Sequence, residues 1–331
     1  MSEDAITLTI RNVLTGGTAL FVFISGFMFH HVFFDSFKYQ KFVMAKVKNV
    51  LVPYLILASL AIAVLYTRDG GFFDSISTEY PAGILFNLSD SSLVTIIKYY
   101  ASGSMFQAYW YIPFVMLLFG ISNFHAKYLA LSLEKQMFLL VASMIVSLLI
   151  HRPILMSNPI HALVYFTPIY LLGMLTSVHS QYVKDKLSDY LPLMFLAVIS
   201  IAFLQYLIGH PGNYHKLALV YGGIDLMLIQ KVFLCLTLYV FLEKYTFNSR
   251  LVNLVSDTSF AIFFMHPWLL NISGRLVQWD AGSGSADLPA VNHLGGYIFM
   301  VFVIMSVSVL LSVAIKKVFK RSKKTRYIMG Y

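Results

Sequence analysis

The sequence GGTALFVFISGFMFHH at residues 16–31 leads into KYQKFVMAKVKNVLVPY at residues 38–54. The first stretch has no Asp, Glu, Lys or Arg, whereas the second carries four lysines before a new apolar run begins at Val50. An apolar run of about 17 to 25 residues is long enough to cross a hydrocarbon core of roughly 30 Å as a helix. The two stretches therefore predict two membrane-spanning helices joined by a basic loop.

The same pattern recurs along the chain, which is 58% hydrophobic and 12% charged, with a mean hydropathy of +0.74. Lipid offers no partner for backbone polar groups, so spanning segments must be helices or a closed barrel. Continuous apolar runs exclude the alternating strands of a barrel. We predict an all-α polytopic transmembrane helical bundle in a single domain, 1–331, with a basic tail at 316–331. About nine spans are expected, at 16–34, 50–67, 107–123, 136–151, 161–178, 190–209, 224–242, 258–276 and 295–318.

The distribution of Lys and Arg predicts the orientation, because cytoplasmic loops carry an excess of these residues. One set of alternate loops, together with the C-terminal tail, holds 17 of the 24 basic residues. The other set holds 6, and Lys231 lies within a span. This bias places the loop 35–49 and the tail in the cytoplasm and leaves the N-terminus outside.

Composition also argues against several kinds of site. The single cysteine, Cys235, lies in a predicted span, which excludes an intramolecular disulfide and a cysteine metal site, and we expect no metal. The net charge of +9 is explained by the basic loops and tail, so no nucleic-acid partner is needed. Two long loops, 68–106 and 277–294, are predicted outside, and LVTIIKYYASG at 93–103 is typical of a helix lying on the membrane surface.

Ser25-Gly26-Phe27, followed by the basic stretch before Pro53-Tyr54, resembles the second helix, first cytoplasmic loop and third-helix entry of the acyltransferase 3 family. The resemblance extends from about residue 10 to 320. The family consists of integral-membrane enzymes that move acyl groups from acyl-CoA to carbohydrates and similar acceptors. It implies ten helices, with the base, a histidine, on a helix that precedes this point.

No positively charged segment precedes the first apolar run, so a short N-terminus would have to cross the membrane without a signal peptide. One further helix upstream would bring the count to ten and put both termini in the cytoplasm, as in the family. We therefore expect a truncated or late-starting chain, whose activity as given is in doubt. A native nine-helix protein is the alternative.

The resemblance implies a donor site at the first basic loop. Lys46 and Lys48 would pair with the phosphates of acyl-CoA, a co-substrate rather than a permanently bound cofactor. Asn49 stands where the family often has arginine, and Ser25 would help to shape the acyl-CoA channel. The structural alternatives are membrane anchoring by the two lysines and a small-residue contact between helices at Ser25.

Three histidines are candidates for the base. His266 lies in SDTSFAIFFMHPWLL at 256–270, which is similar to a late histidine-containing segment of the family. An ionisable residue at membrane depth is a functional candidate by default, although a neighbouring helix often satisfies such a histidine. His30 and His31, at the cytoplasmic end of the first predicted span, could act as a substitute base or could be ordinary interfacial residues.

Two further positions have a functional and a structural interpretation. Tyr109 and Trp110 are similar to the aromatic start of a middle helix of the family, where they would form a wall for the acceptor or belong to an aromatic belt. Lys231 is predicted to snorkel outward or to pair with Asp225.

The leading prediction is a membrane-bound acyltransferase that transfers an acyl group, most often acetyl, from acyl-CoA to a hydroxyl of a cell-surface carbohydrate or its lipid-linked precursor. It implies a multi-pass protein of a bacterial inner membrane, with acyl-CoA, a carbohydrate or glycolipid acceptor and the bilayer as partners. A non-catalytic membrane protein or transporter that shares the fold is the alternative.

Overall fold

The computed structural model describes residues 5–68, 91–106, 108–153, 158–210, 215–216, 222–245, 247–281 and 294–318. In these ranges helices are joined by short connections, and one two-residue strand, β1 (Arg152–Pro153), pairs in parallel with β2 (His215–Lys216). The predicted all-α polytopic bundle is confirmed. Nearly all of the predicted basic tail and most of the loop 277–294 lie outside the described residues.

The α-helices are numbered in chain order. The first seven are α1 (Ala5–Leu14), α2 (Thr18–Met28), α3 (Tyr39–Lys46), α4 (Val52–Arg68), α5 (Ser92–Ser102), α6 (Tyr111–Gly120) and α7 (Ser122–Leu129). The others are α8 (Leu133–Ile150), α9 (Pro159–Val178), α10 (Ser180–Leu187), α11 (Leu191–Leu207), α12 (Leu226–Lys244), α13 (Arg250–Ala281) and α14 (Leu294–Val318). Two π-helical segments continue α2 and precede α4, at Phe29–Phe34 and Val47–Leu51.

Seven helical segments of the described chain are long and apolar enough to cross a membrane, and α6 with α7, bent by 56°, would make an eighth. Within the described residues these segments correspond to eight of the nine predicted spans. The ninth predicted span, 258–276, lies within the continuous helix α13, which contains Pro267. The structure gives a long helix over this predicted span, and the side chains of α13 after Ile272 lie outside the described residues.

The first span begins earlier than predicted, at Ala5 instead of residue 16, and runs to Phe34. Sequence reasoning missed this start because Arg11 and Asn12 interrupt the apolar pattern. The Asn12 side chain is fully buried, and its amide donates a hydrogen bond to the carbonyl oxygen of Ala202 at 2.9 Å. A polar side chain with such a partner can lie inside a helix bundle at little cost.

The chain divides into two compact units, which we describe separately. Unit 1 comprises Met1–Val43, Ile76–Ser89 and Phe114–Phe247, and unit 2 comprises Met44–Ser75, Asp90–Pro113 and Asn248–Tyr331. One transmembrane domain over 1–331 stays a prediction.

In unit 1, α2 packs along α9, α1 packs on α11, and α12 packs on α11. Two glycines permit the close crossing of α2 and α9. A Cβ on Gly26 would overlap the carbonyl oxygen of Tyr170, and a Cβ on Gly173 would overlap the carbonyl oxygen of Phe23. Small residues allow helix backbones to approach closely in membranes. The glycine of the Ser-Gly-Phe sequence is thus part of a backbone-to-backbone contact.

In unit 2, α4 packs on α5, and α13 packs on α14. Helix α5 covers the predicted amphipathic stretch. The Ser91 hydroxyl accepts a hydrogen bond from the Val94 N–H at its start, and Gly103 ends it with a φ of +72°. A Cβ on Gly103 would overlap the backbone at Tyr109, so glycine is required there. That α5 lies on a membrane surface stays a prediction.

Candidate functional site

His266 lies in α13 of unit 2, and one hydrogen bond fixes its tautomer. Its Nδ1 is 3.0 Å from the carbonyl oxygen of Ile262, one helical turn earlier. A carbonyl oxygen only accepts, so Nδ1 carries the proton. In the neutral ring Nε2 is then unprotonated, and it is the nitrogen that can take a proton from a hydroxyl. The side chain as a whole is half-buried.

An aromatic cluster contacts α13 at Phe264 and Trp268, two residues on either side of His266. The hydroxyl of Tyr109 donates to the carbonyl oxygen of Phe264 at 3.1 Å and accepts from Trp268 Nε1 at 2.9 Å. Phe106 packs edge-on against Tyr109 and Trp268, with ring centroids 5.4 Å and 4.9 Å apart. Trp268 was not singled out in the sequence, although HisProTrp at 266–268 would have been the signal.

Tyr109 and Trp110 were predicted either to form a wall for the acceptor or to belong to an aromatic belt. Tyr109 is fully buried. Within unit 2 its hydroxyl accepts a hydrogen bond from Trp268 and donates one to the carbonyl oxygen of Phe264. Its ring also packs against Tyr54, with centroids 6.0 Å apart. Tyr109 therefore ties the start of α6 to α4 and α13. Trp110 is buried as well. An acceptor contact by either residue stays a prediction.

Lys46 and Lys48, the predicted phosphate ligands, lie where α3 passes into the second π-helical segment of unit 2. Lys46 is half-buried and Lys48 is exposed. Residues two positions apart in a helix do not face each other. The two side chains thus project from opposite sides of the helix. We therefore do not expect both ammonium groups to bind one phosphate equally well.

His30 and His31 lie in the first π-helical segment, in unit 1. His30 Nδ1 is 2.8 Å from the Ser177 hydroxyl of α9. His31 is exposed, and its ring lies 5.5 Å from that of Phe27. Ser25, one turn before this segment, is half-buried. π-helical turns are rare and occur often at functional sites. One contains the His30-His31 pair and the other contains Lys48.

Lys231 neither snorkels nor bonds to Asp225, so both predictions for it are corrected. The side chain is 2% exposed, and Nζ donates to the carbonyl oxygens of Asn12 at 3.2 Å and Val13 at 2.8 Å. These carbonyls end α1, where the helix leaves them without backbone donors. The C-terminal end of a helix also favours a cation.

Several histidines and tyrosines are buried in unit 1 that the sequence did not single out. His125 packs against Tyr170, with ring centroids 4.6 Å apart, and against Phe29 at 5.9 Å. His151 Nε2 lies 2.6 Å from the carbonyl oxygen of Gly223. Within the described part of the chain, no group of three or more His, Cys, Asp or Glu side chains is placed to hold a metal ion.

Comparison with models of known families decides the assignment. Residues 3–316 match the acyltransferase 3 family, whose description is "Acyltransferase domain". The chain belongs to the acyltransferase 3 family. No curated protein and no solved structure gives a match. With seven apolar spans in its described residues, it is a multi-pass membrane acyltransferase.

Proposed function

We propose that this acyltransferase transfers an acyl group, most often acetyl, from acyl-CoA to a hydroxyl of a cell-surface carbohydrate or its lipid-linked precursor in a bacterial inner membrane. The match of residues 3–316 to the acyltransferase 3 family, in a chain with seven apolar spans, is the observation that carries the proposal. Acyl-CoA is a co-substrate that leaves as CoA after each turnover.

The base in this proposal is Nε2 of His266. It takes the proton of the acceptor hydroxyl while that oxygen bonds to the thioester carbonyl carbon. The carbon–sulfur bond then breaks, and the CoA thiolate leaves with the proton that Nε2 had accepted. The hydrogen bond from Nδ1 to Ile262 supports this role because it orients the ring and keeps Nε2 available. His30 and His31 are the alternative bases.

The direct test is a transfer assay on the purified full chain in lipid nanodiscs. Acetyl-CoA is supplied with a panel of glycans, and release of the free CoA thiol is followed together with the mass of the glycan. We expect acyl transfer to at least one glycan, with one acyl group added per CoA released. Thiol release without any acylated glycan would mean simple thioester hydrolysis and would contradict the proposal.

The donor site should depend more on Lys46 than on Lys48. Lys46→Ala is expected to weaken CoA binding several-fold, because a half-buried ammonium is poorly screened by salt. Lys48→Ala should have less effect, since exposed charge pairs contribute about 1 kcal/mol or less. Calorimetric titration with CoA measures both affinities.

Lys38→Ala is the control for this pair, because Lys38 is an exposed lysine of the same basic segment. It should bind CoA as the parent protein does. Equal affinity in all three variants would leave the two lysines as membrane anchors only.

The orientation of the chain in the membrane can also be tested. The excess of Lys and Arg favours a cytoplasmic location for the loop 35–49 and the C-terminal tail, since 17 of the 24 basic residues then lie on that side. A periplasm-active phosphatase fused after Tyr331 should therefore be inactive, and a fluorescent protein fused there should be bright. An active phosphatase would reverse the proposed topology.

A further inference from the structure

Pro267 directly follows His266, the base of the proposed reaction, inside the continuous helix α13. Proline has no backbone N–H, so it removes one hydrogen bond between a residue and the carbonyl four positions earlier. The carbonyl oxygen that loses its helical donor at Pro267 is that of Phe263. The sequence thus creates a hydrogen-bond acceptor one helical turn before the base.

The ring of His266 makes use of this acceptor. Its Nδ1 lies 3.0 Å from the carbonyl oxygen of Ile262, and the Phe263 carbonyl is a second hydrogen-bond acceptor for the same ring. In a regular helix the Ile262 carbonyl already accepts the backbone N–H of His266. A neutral ring with its proton on Nε2 bonds to neither carbonyl, because Nδ1 is then an acceptor as well. The second carbonyl therefore favours the tautomer in which Nε2 is free to take a proton.

Tyr109 holds the same turn of α13 from outside the helix. Its hydroxyl accepts from Trp268 Nε1 at 2.9 Å and donates to the Phe264 carbonyl oxygen at 3.1 Å. These two residues lie two positions after and two positions before His266. The bridge thus fixes the helix on both sides of the base. Since a hydroxyl has a single proton, Tyr109 has none left to donate to a substrate.

Aromatic packing adds a further contact to the ring of His266. The Phe263 ring packs edge-on against it, with centroids 6.1 Å apart. Phe263 in turn packs against Tyr111, the first residue of α6, at 5.7 Å. The short segment 109–111 therefore contacts both the backbone and the ring packing of the turn that carries the base.

We propose that Pro267 and Tyr109 are positioning residues for the base. Pro267 supplies the free carbonyl that keeps the proton on Nδ1, and Tyr109 holds the turn of α13 that carries the ring. Each acts through His266 and not on the reacting atoms. The inference rests on the proposed function, because it concerns the same histidine, and for Tyr109 it replaces a direct contact with the carbohydrate acceptor.

The tautomer of His266 tests the role of Pro267 without turnover. The full chain, isotope-labelled at its 10 histidines, is measured by solid-state NMR in nanodiscs, and the signals of His266 are those that disappear in His266→Asn. Pro267→Ala should fold, because alanine is the best helix former, and it restores an N–H for the Phe263 carbonyl. We expect the parent protein to carry the proton on Nδ1 and the variant to show a substantial population with the proton on Nε2. The same tautomer in both proteins would overturn the role of Pro267.

Steady-state kinetics test both residues. Pro267→Ala should lower kcat about fivefold, the effect of one hydrogen bond. Tyr109→Phe keeps the ring and loses the hydroxyl, so Trp268 loses its acceptor and the Phe264 carbonyl loses a donor. It should lower kcat about tenfold and leave the KM of the glycan unchanged. A raised KM with an unchanged kcat would show that Tyr109 contacts the acceptor, and it would overturn the positioning role.

Tyr66→Phe is the matched control, because Tyr66 is an exposed tyrosine of α4 in the same unit. Its kcat and KM should equal those of the parent protein.

Double variants separate positioning from a general weakening of the protein. In the His266→Asn background the positioned nitrogen is absent, so neither Pro267→Ala nor Tyr109→Phe should lower the residual rate further. Equal proportional losses in the two backgrounds would overturn the proposal.

Failure of this inference differs from failure of the proposed function. Normal acyl transfer with an unchanged tautomer in Pro267→Ala contradicts only the positioning role. Absence of acyl transfer by the parent protein contradicts the proposed function, and the tautomer measurement still decides whether Pro267 orients the ring.

Discussion

His266→Asn is expected to lower the acyl-transfer rate by about 10² to 10⁴, the usual contribution of a general base. The asparagine amide can still donate to the Ile262 carbonyl as Nδ1 does, so the helix keeps its hydrogen bond. The asparagine side chain has no unprotonated nitrogen in the place of Nε2, so it cannot accept the proton of the acceptor hydroxyl. Release of the CoA thiol at saturating donor and acceptor measures the effect.

The asparagine variant separates a catalytic role from a structural one. If His266 only stabilises α13, His266→Ala should lose activity and His266→Asn should regain it. If His266 is the base, both variants should be equally slow while CoA binding is unchanged. Normal turnover by His266→Asn would exclude it, and the His30-His31 pair would be tested next with His30→Ala and His31→Ala.

Gly26→Ala is expected to destabilise the protein by about 3 kcal/mol or more, at the upper end of the range for overpacking. The added methyl group would overlap the carbonyl oxygen of Tyr170, which is backbone and cannot rotate away. Helices α2 and α9 would have to separate along their crossing. Gly173→Ala should behave in the same way, because its methyl group would overlap the carbonyl oxygen of Phe23. Thermal unfolding of the purified protein measures the loss.

Gly120→Ala is the matched control, since a Cβ at this helical position would meet no atom within 4 Å. It should be neutral or slightly stabilising, because alanine favours a helix over glycine by about 1 kcal/mol. Equal stability of the Gly26 and Gly120 variants would show that α2 and α9 do not cross at these glycines.

The sequence predicted most of the spans because the free energy of burying a side chain in lipid adds up along an apolar run, whatever the run packs against. It failed where a polar side chain is satisfied by a distant part of the chain. Asn12 finds the carbonyl of Ala202, so the first span begins before the apolar pattern does.

The amino-acid sequence by itself determined the fold class, the family resemblance and the charge bias, since each depends on local composition or on short motifs. Only the tertiary structure decided which polar groups meet. Lys231 bonds to carbonyls more than 200 residues away in sequence, and Arg152 lies near Asp225, which comes from a different segment. Such contacts depend on how closely helices cross, which the glycine contacts of α2 and α9 set in unit 1. Hydropathy records whether a residue is apolar, but it carries no information about the partner that a buried charge will find.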